Sequence, residues 1–388
     1  MAVPLRVASL FSGIAGVERG LALGAAIEPA LFCEWWEPAR AVLTAQYPDV
    51  DVRGDVRDLL SLPRVDILTA GFPCTDLSQA GRTAGIKGEA SGLVREVFRL
   101  LRDARPRWLV LENVRNMLVL DGGQAMRFLV DELEERGYRW AYRVVDSRAF
   151  GVPQRRQRVL LVASRTGSPA SVLFSDDAGD ADGSELRDDA YGFYWTEGLR
   201  GLGWAKDAVP TLKGGSSLGI PSPPGVWLPN AALGIRLATP SIEAAEQLQG
   251  FPEGWTEAAT TQAARKSYRW KLVGNAVTVG AAAWLGTRLA EPGNFRPARR
   301  SALVDGRWPA AAWGERGRAF KADVSMWPIQ SAYSHLGDLI TTDTARPLSV
   351  RAATGFRDRM RRSRLHFDDS FRAAVEEHAA LDGSESAA

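Results

Sequence analysis

Apolar runs alternate with amphipathic stretches over the first 165 residues of the chain. Nearly continuous apolar runs are typical of strands buried on both faces of a sheet, and they occupy residues 5–11, 30–33, 65–70, 108–111, 138–145 and 158–163. Helical spacing of apolar residues falls between them, over 17–23, 37–47, 92–104 and 125–136. This alternation predicts an α/β fold built on a doubly wound parallel sheet.

The pattern changes after residue 165. Residues 175–189 are acidic and loop-like, and 209–225 are dense in Gly, Ser and Pro, which predicts irregular structure or short strands. Two further helices are predicted, over 241–248 with Ser241 as N-cap and over 277–289 with Gly274-Asn275 before it. No internal repeat is visible.

The composition bounds the class of protein. The chain has 388 residues, of which 45% are hydrophobic, so a sizeable core is expected. Two cysteines exclude a disulfide framework and favour a reducing compartment. Neither a signal peptide nor an apolar stretch of about 18 residues is present, so we expect a cytoplasmic protein with no membrane span. A net charge of +2 neither requires nor excludes a polyanionic partner.

Chemically capable groups follow the predicted strands. A Gly-containing loop follows Phe11, and Glu34, Cys74 and Glu112 each come directly or shortly after an apolar run. Ligands in doubly wound folds bind at the carboxyl ends of strands. Folding alone does not require this placement, so the sequence indicates a site at one edge of the sheet.

The first loop and the acids after it suit a nucleotide-like cofactor. Gly residues in a strand–turn–helix let the backbone approach a ligand, although a plain tight turn is an alternative. Glu34 ends the next strand, where an acid typically binds ribose hydroxyls. Trp35 is placed to stack on adenine, and Asp55 to accept from an exocyclic amine. Solvated loop acids are the alternative for both carboxylates.

Cys74, directly after Pro73, has three interpretations: a buried spacer, a metal ligand or a nucleophile. The three histidines lie near the C-terminus, so zinc is not expected. Glu112 closes an apolar strand and is either a working carboxyl or a capping or ion-paired acid. Arg156 and Arg158 share a side if the following strand extends back that far. In that case their guanidinium groups would contact phosphate or place a cation beside a nucleophile. The alternative is that both are solvated charges at the end of a strand.

Taken together and in order, several stretches resemble the cytosine-C5 DNA methyltransferases, which use S-adenosylmethionine. They are "LFSGIAGVERGL", "CEWW", "GDVRD", "GFPCTDLSQAG", "ENV", "QRRQRV", "LQGFP" and "GNAV", spread over residues 5–290. The chain differs from the residues that are most frequent in the family's motifs at Ala15, Thr75 and Ala276. The resemblance implies a Rossmann-like methyltransferase sheet. It implies a catalytic domain over 1–165, completed by 272–292, a smaller, irregular target-recognition domain over 166–271, and a C-terminal extension over 293–388.

The resemblance also implies the reaction, namely methyl transfer to C5 of a cytosine flipped out of double-stranded DNA, through a covalent bond from Cys74 to C6. S-adenosylhomocysteine is the other product, and no metal is needed. The catalytic residues would be Cys74, Glu112, Arg156 and Arg158. Cofactor-binding residues would be Phe11, Ser12, Gly13, Ile14, Ala15, Gly16, Glu34, Trp35, Asp55, Val56, Pro73, Asn275 and Ala276. DNA-binding residues would be Ser78, Gln79, Gly81, Arg82, Lys213, Arg236 and Lys271.

The chemistry of cytosine explains this set. C5 is a poor nucleophile, and a soft thiolate adding to C6 raises electron density at C5 and can leave again. A cation favours the thiolate, and Arg158 is the candidate. Glu112 would hold or protonate N3. The enzyme is expected to act as a monomer in the cytoplasm at the nucleoid, either with a restriction endonuclease of the same site or as a solitary methylase.

Other functions remain open at this point. Methylation of tRNA by the same fold is disfavoured because that branch carries a further Cys-Phe-Thr signature, and no cysteine follows Cys74. A non-catalytic DNA-binding scaffold would not need the Cys, Glu and Arg set. A nicotinamide dehydrogenase would explain only the Gly loop. In the tail, Phe356, Met360 and Phe367 have near-helical spacing, which favours a basic helix packed on the body over a DNA clamp.

Overall fold

A computed structural model describes residues 3–72, 89–214, 221–260, 267–296, 301–303 and 307–381. The chain forms two compact units. Unit 1 comprises Met1–Phe150, Gln157–Ala181 and Ala276–Gln330, and unit 2 comprises Gly151–Arg156, Asp182–Asn275 and Ser331–Ala388. No helix among the described residues is long and apolar enough to cross a membrane.

Among the described residues, the strands of six to eight residues all lie in unit 1. In chain order, the strands of the described residues are β1 (Leu5–Leu10), β2 (Ile27–Cys33), β3 (Val52–Arg53), β4 (Ile67–Ala70), β5 (Trp108–Val114), β6 (Arg139–Asp146), β7 (Gln154–Arg155), β8 (Gln157–Ser164), β9 (Tyr191–Phe193), β10 (Ala205–Lys206), β11 (Val209–Pro210), β12 (Gly225–Trp227), β13 (Leu237–Pro240), β14 (Ser301–Ala302), β15 (Ala311–Glu315), β16 (Arg318–Lys321) and β17 (Ala345–Pro347).

The helices follow the amphipathic stretches. They are α1 (Gly16–Gly24), α2 (Glu37–Gln46), α3 (Glu89–Ala104), α4 (Gln124–Glu135), α5 (Pro169–Leu173), α6 (Leu233–Arg236), α7 (Ile242–Leu248), α8 (Ser267–Asn275), α9 (Val279–Ala290), α10 (Leu336–Leu339), α11 (Val350–Arg361) and α12 (Asp369–Ala379). Ser241 caps α7 as predicted, because its side chain accepts a hydrogen bond from the Ala244 N–H.

Unit 1 is built on one sheet with the strand order β14-β16-β15-β6-β8-β5-β4-β1-β2-β3. The strands from β3 to β5 pair in parallel, and β1 lies between β2 and β4. The α/β class is thus confirmed, but the rest of the sheet is antiparallel, beginning with β8 against both β5 and β6. The connection from Asp146 to Gln157 is too short for a parallel crossover, which needs about a dozen or more residues.

Both faces of this sheet are covered. Successive residues of β1 point to opposite faces, so Val7 packs with α9 whereas Ala8 packs with α3 and α4. Ile67 and Leu68 of β4 divide in the same way. Burial on both faces is the physical reason that these strands read as continuous apolar runs.

Small residues bring α1 and α9 into close contact within unit 1. A Cβ added at Gly20 would lie 2.4 Å from Ala282 Cβ, and one at Gly24 would lie 2.0 Å from the Ala283 carbonyl oxygen. The expected N-cap of α9 at Gly274-Asn275 is wrong. Asn275 is the last residue of α8, and Thr278 occupies the N-cap position of α9.

Unit 2 contains a smaller sheet with the order β10-β9-β12-β13-β17, and β7 pairs separately with β11. Its last strand comes from the C-terminal part of the chain. The sequence-based boundaries treat residues 293–388 as one extension, whereas residues 293–330 fall in unit 1 and residues 331–388 in unit 2. The apolar pattern of the sequence does not distinguish the part that belongs to unit 1 from the part that belongs to unit 2.

A buried arginine attaches the first part of that extension to unit 1. Arg143 of β6 is fully buried and ion-paired with Asp177 at 2.9 Å. Its Nε donates to the Ser325 carbonyl at 2.8 Å, and Ser325 in turn donates its hydroxyl to Asp177 at 2.6 Å. The charge is therefore compensated by hydrogen bonds that form only when residues around 325 pack here.

Candidate active site

The loop after β1 is a tight turn with a left-handed backbone. Phe11, Gly13 and Ala15 have φ values of 56°, 55° and 59°. Such angles are uncommon for residues other than glycine and cost of order 1–3 kcal/mol where they occur. Ser12 stabilises the turn, because its hydroxyl donates to the Ser9 carbonyl at 3.1 Å and accepts from the Cys33 N–H at 3.1 Å. The loop is thus fixed against the end of β2.

Glu34 connects this loop to the next strand end. Its two carboxylate oxygens accept hydrogen bonds from the Gly13 and Trp36 N–H groups, both at 2.9 Å. Burial raises the pKa of Glu34, while these backbone hydrogen bonds and Arg40 act in the opposite direction. Trp35 beside it exposes 71% of its surface, far more than most large apolar residues. The strand end therefore combines an ordered carboxylate with an open indole face.

Asp55 lies after β3, at the start of a single helical turn that includes Val56. It accepts from the Arg57 N–H at 2.9 Å and forms an ion pair with the Arg57 guanidinium. These hydrogen bonds from Arg57 lower the pKa of the Asp55 carboxyl. Val56 is buried beneath the turn.

These groups fit a nucleoside-containing cofactor. A Cβ added at Gly13 would meet nothing within 4 Å, so the loop borders open space. Ionised carboxylates accept hydrogen bonds from hydroxyl and amine groups, and an exposed indole offers a stacking face. The two hydrogen-bond acceptors and the open indole face therefore fit the hydroxyl groups and the base of a nucleoside.

Glu112 and Arg158 form an ion pair in unit 1. Arg158 Nε lies 3.0 Å from Glu112 Oε1, with 14% and 12% of the two side chains exposed. The antiparallel register pairs Glu112 with Leu160 and Val114 with Arg158, so the two side chains are diagonal neighbours on one face. β5 thus runs on to Val114, beyond the end expected at Leu111.

The end of β4 leads directly to this pair. A Cβ added at Gly71 would lie 3.7 Å from Glu112 Oε2 and 4.0 Å from the Phe11 carbonyl oxygen. Buried Asn113 donates its amide to the Phe72 carbonyl at 3.3 Å. Asn113 was not singled out from the sequence, although an amide following an acid inside an apolar strand was a visible signal. The chain thus passes beside Glu112 at Gly71, three residues before Cys74.

Six of the expected site residues lie outside the described residues: Pro73, Cys74, Ser78, Gln79, Gly81 and Arg82. The other cysteine, Cys33, is buried in unit 1, and its thiol contacts the Gly54 carbonyl at 3.3 Å. Burial, followed by the charges of Glu34 and Asp55, raises the pKa of Cys33 to about 12. Because the thiolate is the nucleophile, Cys33 is a structural thiol.

Arg156 takes a different position from the one expected. β8 begins at Gln157, so the alternation that would put Arg156 and Arg158 on one side does not extend back far enough. Arg156 is fully buried in unit 2, where its Nη1 donates to the Leu212 carbonyl at 3.2 Å. The motif "QRRQR" thus divides between the two units.

A pair of buried glutamines organises the interior of unit 2. Gln154 donates to the Leu248 carbonyl at 2.9 Å and to Gln249 Oε1 at 3.1 Å, and it accepts from the Leu212 N–H at 3.0 Å. Gln249 donates onward to the Val273 carbonyl at 3.0 Å. These contacts join "QRRQR", "LQGFP" and the end of α8. Sequence reasoning missed this function because Gln154 lies more than fifty residues from each of the partners of its side chain.

Three of the four basic residues proposed for DNA contact lie in unit 2, namely Lys213, Arg236 and Lys271. Lys213 is ion-paired with Glu197 at 2.6 Å, and Arg236 with Glu377 at 2.8 Å. Lys271 is exposed on α8. The cofactor candidates Asn275 and Ala276 mark the boundary between the units, and a Cβ added at Gly214 would lie 2.9 Å from Asn275 Oδ1.

Among the described residues, no three His, Cys, Asp or Glu side chains cluster as metal ligands would.

The chain is similar to several known proteins. Residues 5–186 match the family described as C-5 cytosine-specific DNA methylase. The Type II methyltransferase M2.BsuMI of Bacillus subtilis (strain 168) is 44% identical over 385 residues, which cover 96% of this chain and 97% of the relative. The Type II methyltransferase M.BanI of Aneurinibacillus aneurinilyticus is 32% identical over 48% of this chain and 44% of its own length.

A solved structure shares the fold. The S. pombe Dnmt2 methyltransferase superposes with a TM-score of 0.54 and covers 76% of this chain and 100% of its own, at 16% sequence identity. At that identity the likeness concerns the fold alone.

Proposed function

The chain belongs to the C-5 cytosine-specific DNA methylases and is a DNA (cytosine-5)-methyltransferase, and we propose that it methylates one specific double-stranded sequence with Cys74 as nucleophile. The observation that carries this assignment is the ion pair of Glu112 and Arg158, with Gly71 beside it at the start of the segment that leads to Cys74. Each of these groups has a separate part in the reaction.

S-adenosylmethionine is the proposed cofactor, and it supplies the methyl group as an electrophile. Glu34 would accept the ribose hydroxyls, since its carboxylate is held at the strand end by Gly13 and Trp36. Trp35 would stack on the adenine, and Asp55 with Val56 would border the base. The left-handed turn from Phe11 to Ala15 lets the backbone approach the ligand closely.

Cys74 would add to C6 of cytosine as a thiolate, forming the S–C6 bond while the ring electrons shift toward C5. After C5 is methylated, its proton leaves to a base and the S–C6 bond breaks, which restores the aromatic ring and the thiolate. Of the two cysteines, only Cys74 is available for this function, because Cys33 is buried with a pKa of about 12.

Glu112 would bind the N3 edge of the cytosine and stabilise the charge that develops there when the thiolate adds. Arg158 Nε lies 3.0 Å from Glu112 Oε1, and Glu112 Oε2 lies on the side of Gly71, toward the segment that leads to Cys74. Asn113 fixes the Phe72 carbonyl and thereby the start of the Cys74 segment. Arg156, hydrogen-bonded inside unit 2, would act by positioning rather than by touching the base.

DNA recognition is assigned to unit 2, with its short strands and Gly-rich connections. The target atom is inaccessible inside a duplex, so the cytosine must be extruded. Ser78, Gln79, Gly81 and Arg82 would contact DNA from the Cys74 segment, and Lys213, Arg236 and Lys271 from unit 2. The protein would act as a monomer at the nucleoid, with a restriction endonuclease of the same specificity as the expected partner.

Expression of the wild-type chain in cells that lack cytosine methylation, followed by bisulfite sequencing of their DNA, tests this function. We expect methylated cytosines in one recurrent sequence, and their loss in Cys74→Ser, with Cys33→Ser as the matched control that keeps activity. A wild-type strain without methylated cytosines would contradict the proposal. Methylation that persists in Cys74→Ser would contradict the assignment of the nucleophile.

A further inference from the structure

The C-terminal segment, residues 331–381, is an integral part of unit 2. Strand β17 pairs with β13, matching Thr239 with Arg346. Beyond it, Phe356 of α11 and Phe371 of α12 are fully buried, with ring centroids 5.2 and 5.1 Å from Phe193 of β9. The segment therefore completes the apolar core around β9 and β12, and it carries functional side chains into this unit.

The end of α11 holds the loop that follows β9. Arg359 Nη2 donates to the Trp195 carbonyl at 2.7 Å, and Arg359 Nε donates to the Glu197 carbonyl at 2.9 Å. Ser363 donates its hydroxyl to the Leu199 carbonyl at 3.4 Å. Three alternate carbonyls of one loop are thus bound by a helix end that lies more than 160 residues further along the chain.

The loop itself, residues 195–203, is closed by backbone hydrogen bonds. The Tyr194 N–H donates to the Leu202 carbonyl at 2.8 Å, and the Gly198 N–H donates to the Gly201 carbonyl at 2.9 Å. Gly198 has a φ of +114°, and a Cβ there would lie 3.1 Å from the Phe356 ring. The backbone angle favours glycine at this position, and the Phe356 ring leaves little space for a side chain.

The loop presents Thr196, Leu199 and Arg200 to solvent. Leu199 exposes 50% of its surface, and Arg200 next to it is exposed and has no carboxylate partner among the described residues. Arg362 and Arg364 are exposed just beyond the helix end that holds the loop. The nearest acid in the loop, Glu197, is neutralised by Lys213. The surface is therefore basic around a fixed apolar tip.

From this arrangement we infer that the loop 195–203 is a DNA-contacting element in which Arg200 touches the duplex and Arg359 is a positioning residue. The C-terminal segment then helps to determine which sequence is methylated. This inference rests on the proposed function of unit 2. A basic, preorganised tip with one apolar side chain suits a DNA groove, where phosphate contacts give affinity and base-edge contacts give specificity.

Three variants of the full-length chain test it: Arg200→Ala, Arg359→Lys, and Arg351→Ala as the matched control. Arg351 is exposed at the other end of α11, about 12 Å along the helix from Arg359. The readouts are the KM for DNA, kcat, the dissociation constant for S-adenosylmethionine, the melting temperature, and the sites methylated in a randomised DNA library. Each is measured over a range of salt concentrations.

Arg200→Ala should raise the KM for DNA about tenfold and lower the slope of log KM against log salt by about one, with cofactor binding unchanged. Arg359→Lys keeps the charge but loses the two-carbonyl geometry. It should therefore keep the wild-type salt slope while raising KM and relaxing the methylated sequence. Arg351→Ala should match the wild type.

If the wild-type chain methylates no DNA, the proposed function fails. If it methylates DNA and both Arg200→Ala and Arg359→Lys keep the control's KM, salt slope and site profile, the loop assignment is overturned while the proposed function stands. A lower melting temperature in Arg359→Lys without any change in KM or site profile also overturns the positioning function. Binding of an unrelated protein at the loop, with DNA kinetics unaffected, counts against it too.

Discussion

Arg158 Nε lies 3.0 Å from Glu112 Oε1, across two antiparallel strands at the edge of the sheet where the parallel strands end. Both side chains are mostly buried, so the pair orders a carboxylate whose position would otherwise depend on solvent. The Glu112–Arg158 ion pair is therefore the central feature of the candidate site among the described residues. From Gly71 beside this pair, the described chain continues to Phe72, two residues before Cys74.

Arg158→Ala should reduce both stability and turnover, because the mostly buried Glu112 loses its cationic partner. We expect a loss of about 1–3 kcal/mol in the free energy of unfolding, less than for a fully buried pair, and a fall in kcat of at least about a hundredfold. Urea denaturation and single-turnover methylation check this. A double-mutant cycle with Glu112→Gln should show coupling in kcat, whereas strict additivity would contradict a joint function.

Trp35→Ala should weaken cofactor binding without unfolding the protein. The side chain is 71% exposed, so its loss removes little packing. Stacking of a base on an aromatic ring contributes about 1–3 kcal/mol, which corresponds to a roughly 5- to 150-fold higher dissociation constant for S-adenosylmethionine. Calorimetry measures that constant. Leu60→Ala, at a residue 89% exposed, is the matched control, and equal affinities in the two variants would exclude stacking on Trp35.

Asn113→Ala should lower kcat while leaving the affinity for S-adenosylmethionine unchanged. The variant removes the amide that donates to the Phe72 carbonyl, and a buried acceptor that loses its donor costs about 1–3 kcal/mol. The segment leading to Cys74 then loses its attachment beside Glu112. Pre-steady-state kinetics separate the chemical step from binding. Asn116→Ala serves as the control, and a wild-type chemical step in Asn113→Ala would contradict the positioning function.

The buried Glu18 should make stability depend on pH. Burial raises the pKa of this carboxyl above its ordinary value of 4.5, against a hydrogen bond from Thr69. Its ionised form therefore costs folding free energy. The cost is absent below that ordinary value and develops as pH rises through the raised pKa. Glu18→Gln, whose amide oxygen still accepts from Thr69, should gain stability relative to the wild type with increasing pH.

Denaturation curves between pH 4 and pH 8 measure this gain as the difference between the variant and the wild type. Glu28→Gln, an exposed acid near the start of β2, should show no such trend. A difference for Glu18→Gln that stays constant with pH would show that Glu18 does not titrate above its unfolded value.

The sequence predicted the longer elements of unit 1 well, because strands buried on both faces have almost no polar positions. Val7 and Ala8 face different cores, so both must be apolar. Very short strands such as β3 and β10, each two residues long, leave no periodic signal. The antiparallel placement of β8 depends on the length of its connection rather than on its own composition.

The groups of the candidate site were predictable by residue type, but their hydrogen-bond partners were not. Glu34, Glu112 and Arg158 stand at polar interruptions of an apolar pattern, which sequence analysis detects. Gln154 and Asn113 act through backbone carbonyls distant in sequence, so only the folded chain shows what they bind. For the same reason, nothing in the tail indicated that Arg359 binds the loop after β9.

The central claim is that Cys74 forms a covalent bond to C6 of cytosine in DNA. Incubation with duplex DNA carrying 5-fluoro-2′-deoxycytidine and S-adenosylmethionine tests it most directly, since fluorine at C5 prevents the final elimination. After digestion, mass spectrometry should find the methylated fluorocytosine attached to the peptide that contains Cys74, with Cys74→Ser giving no adduct. An adduct on Cys33, or steady turnover of normal DNA with no trapped species in the wild type, would contradict the account.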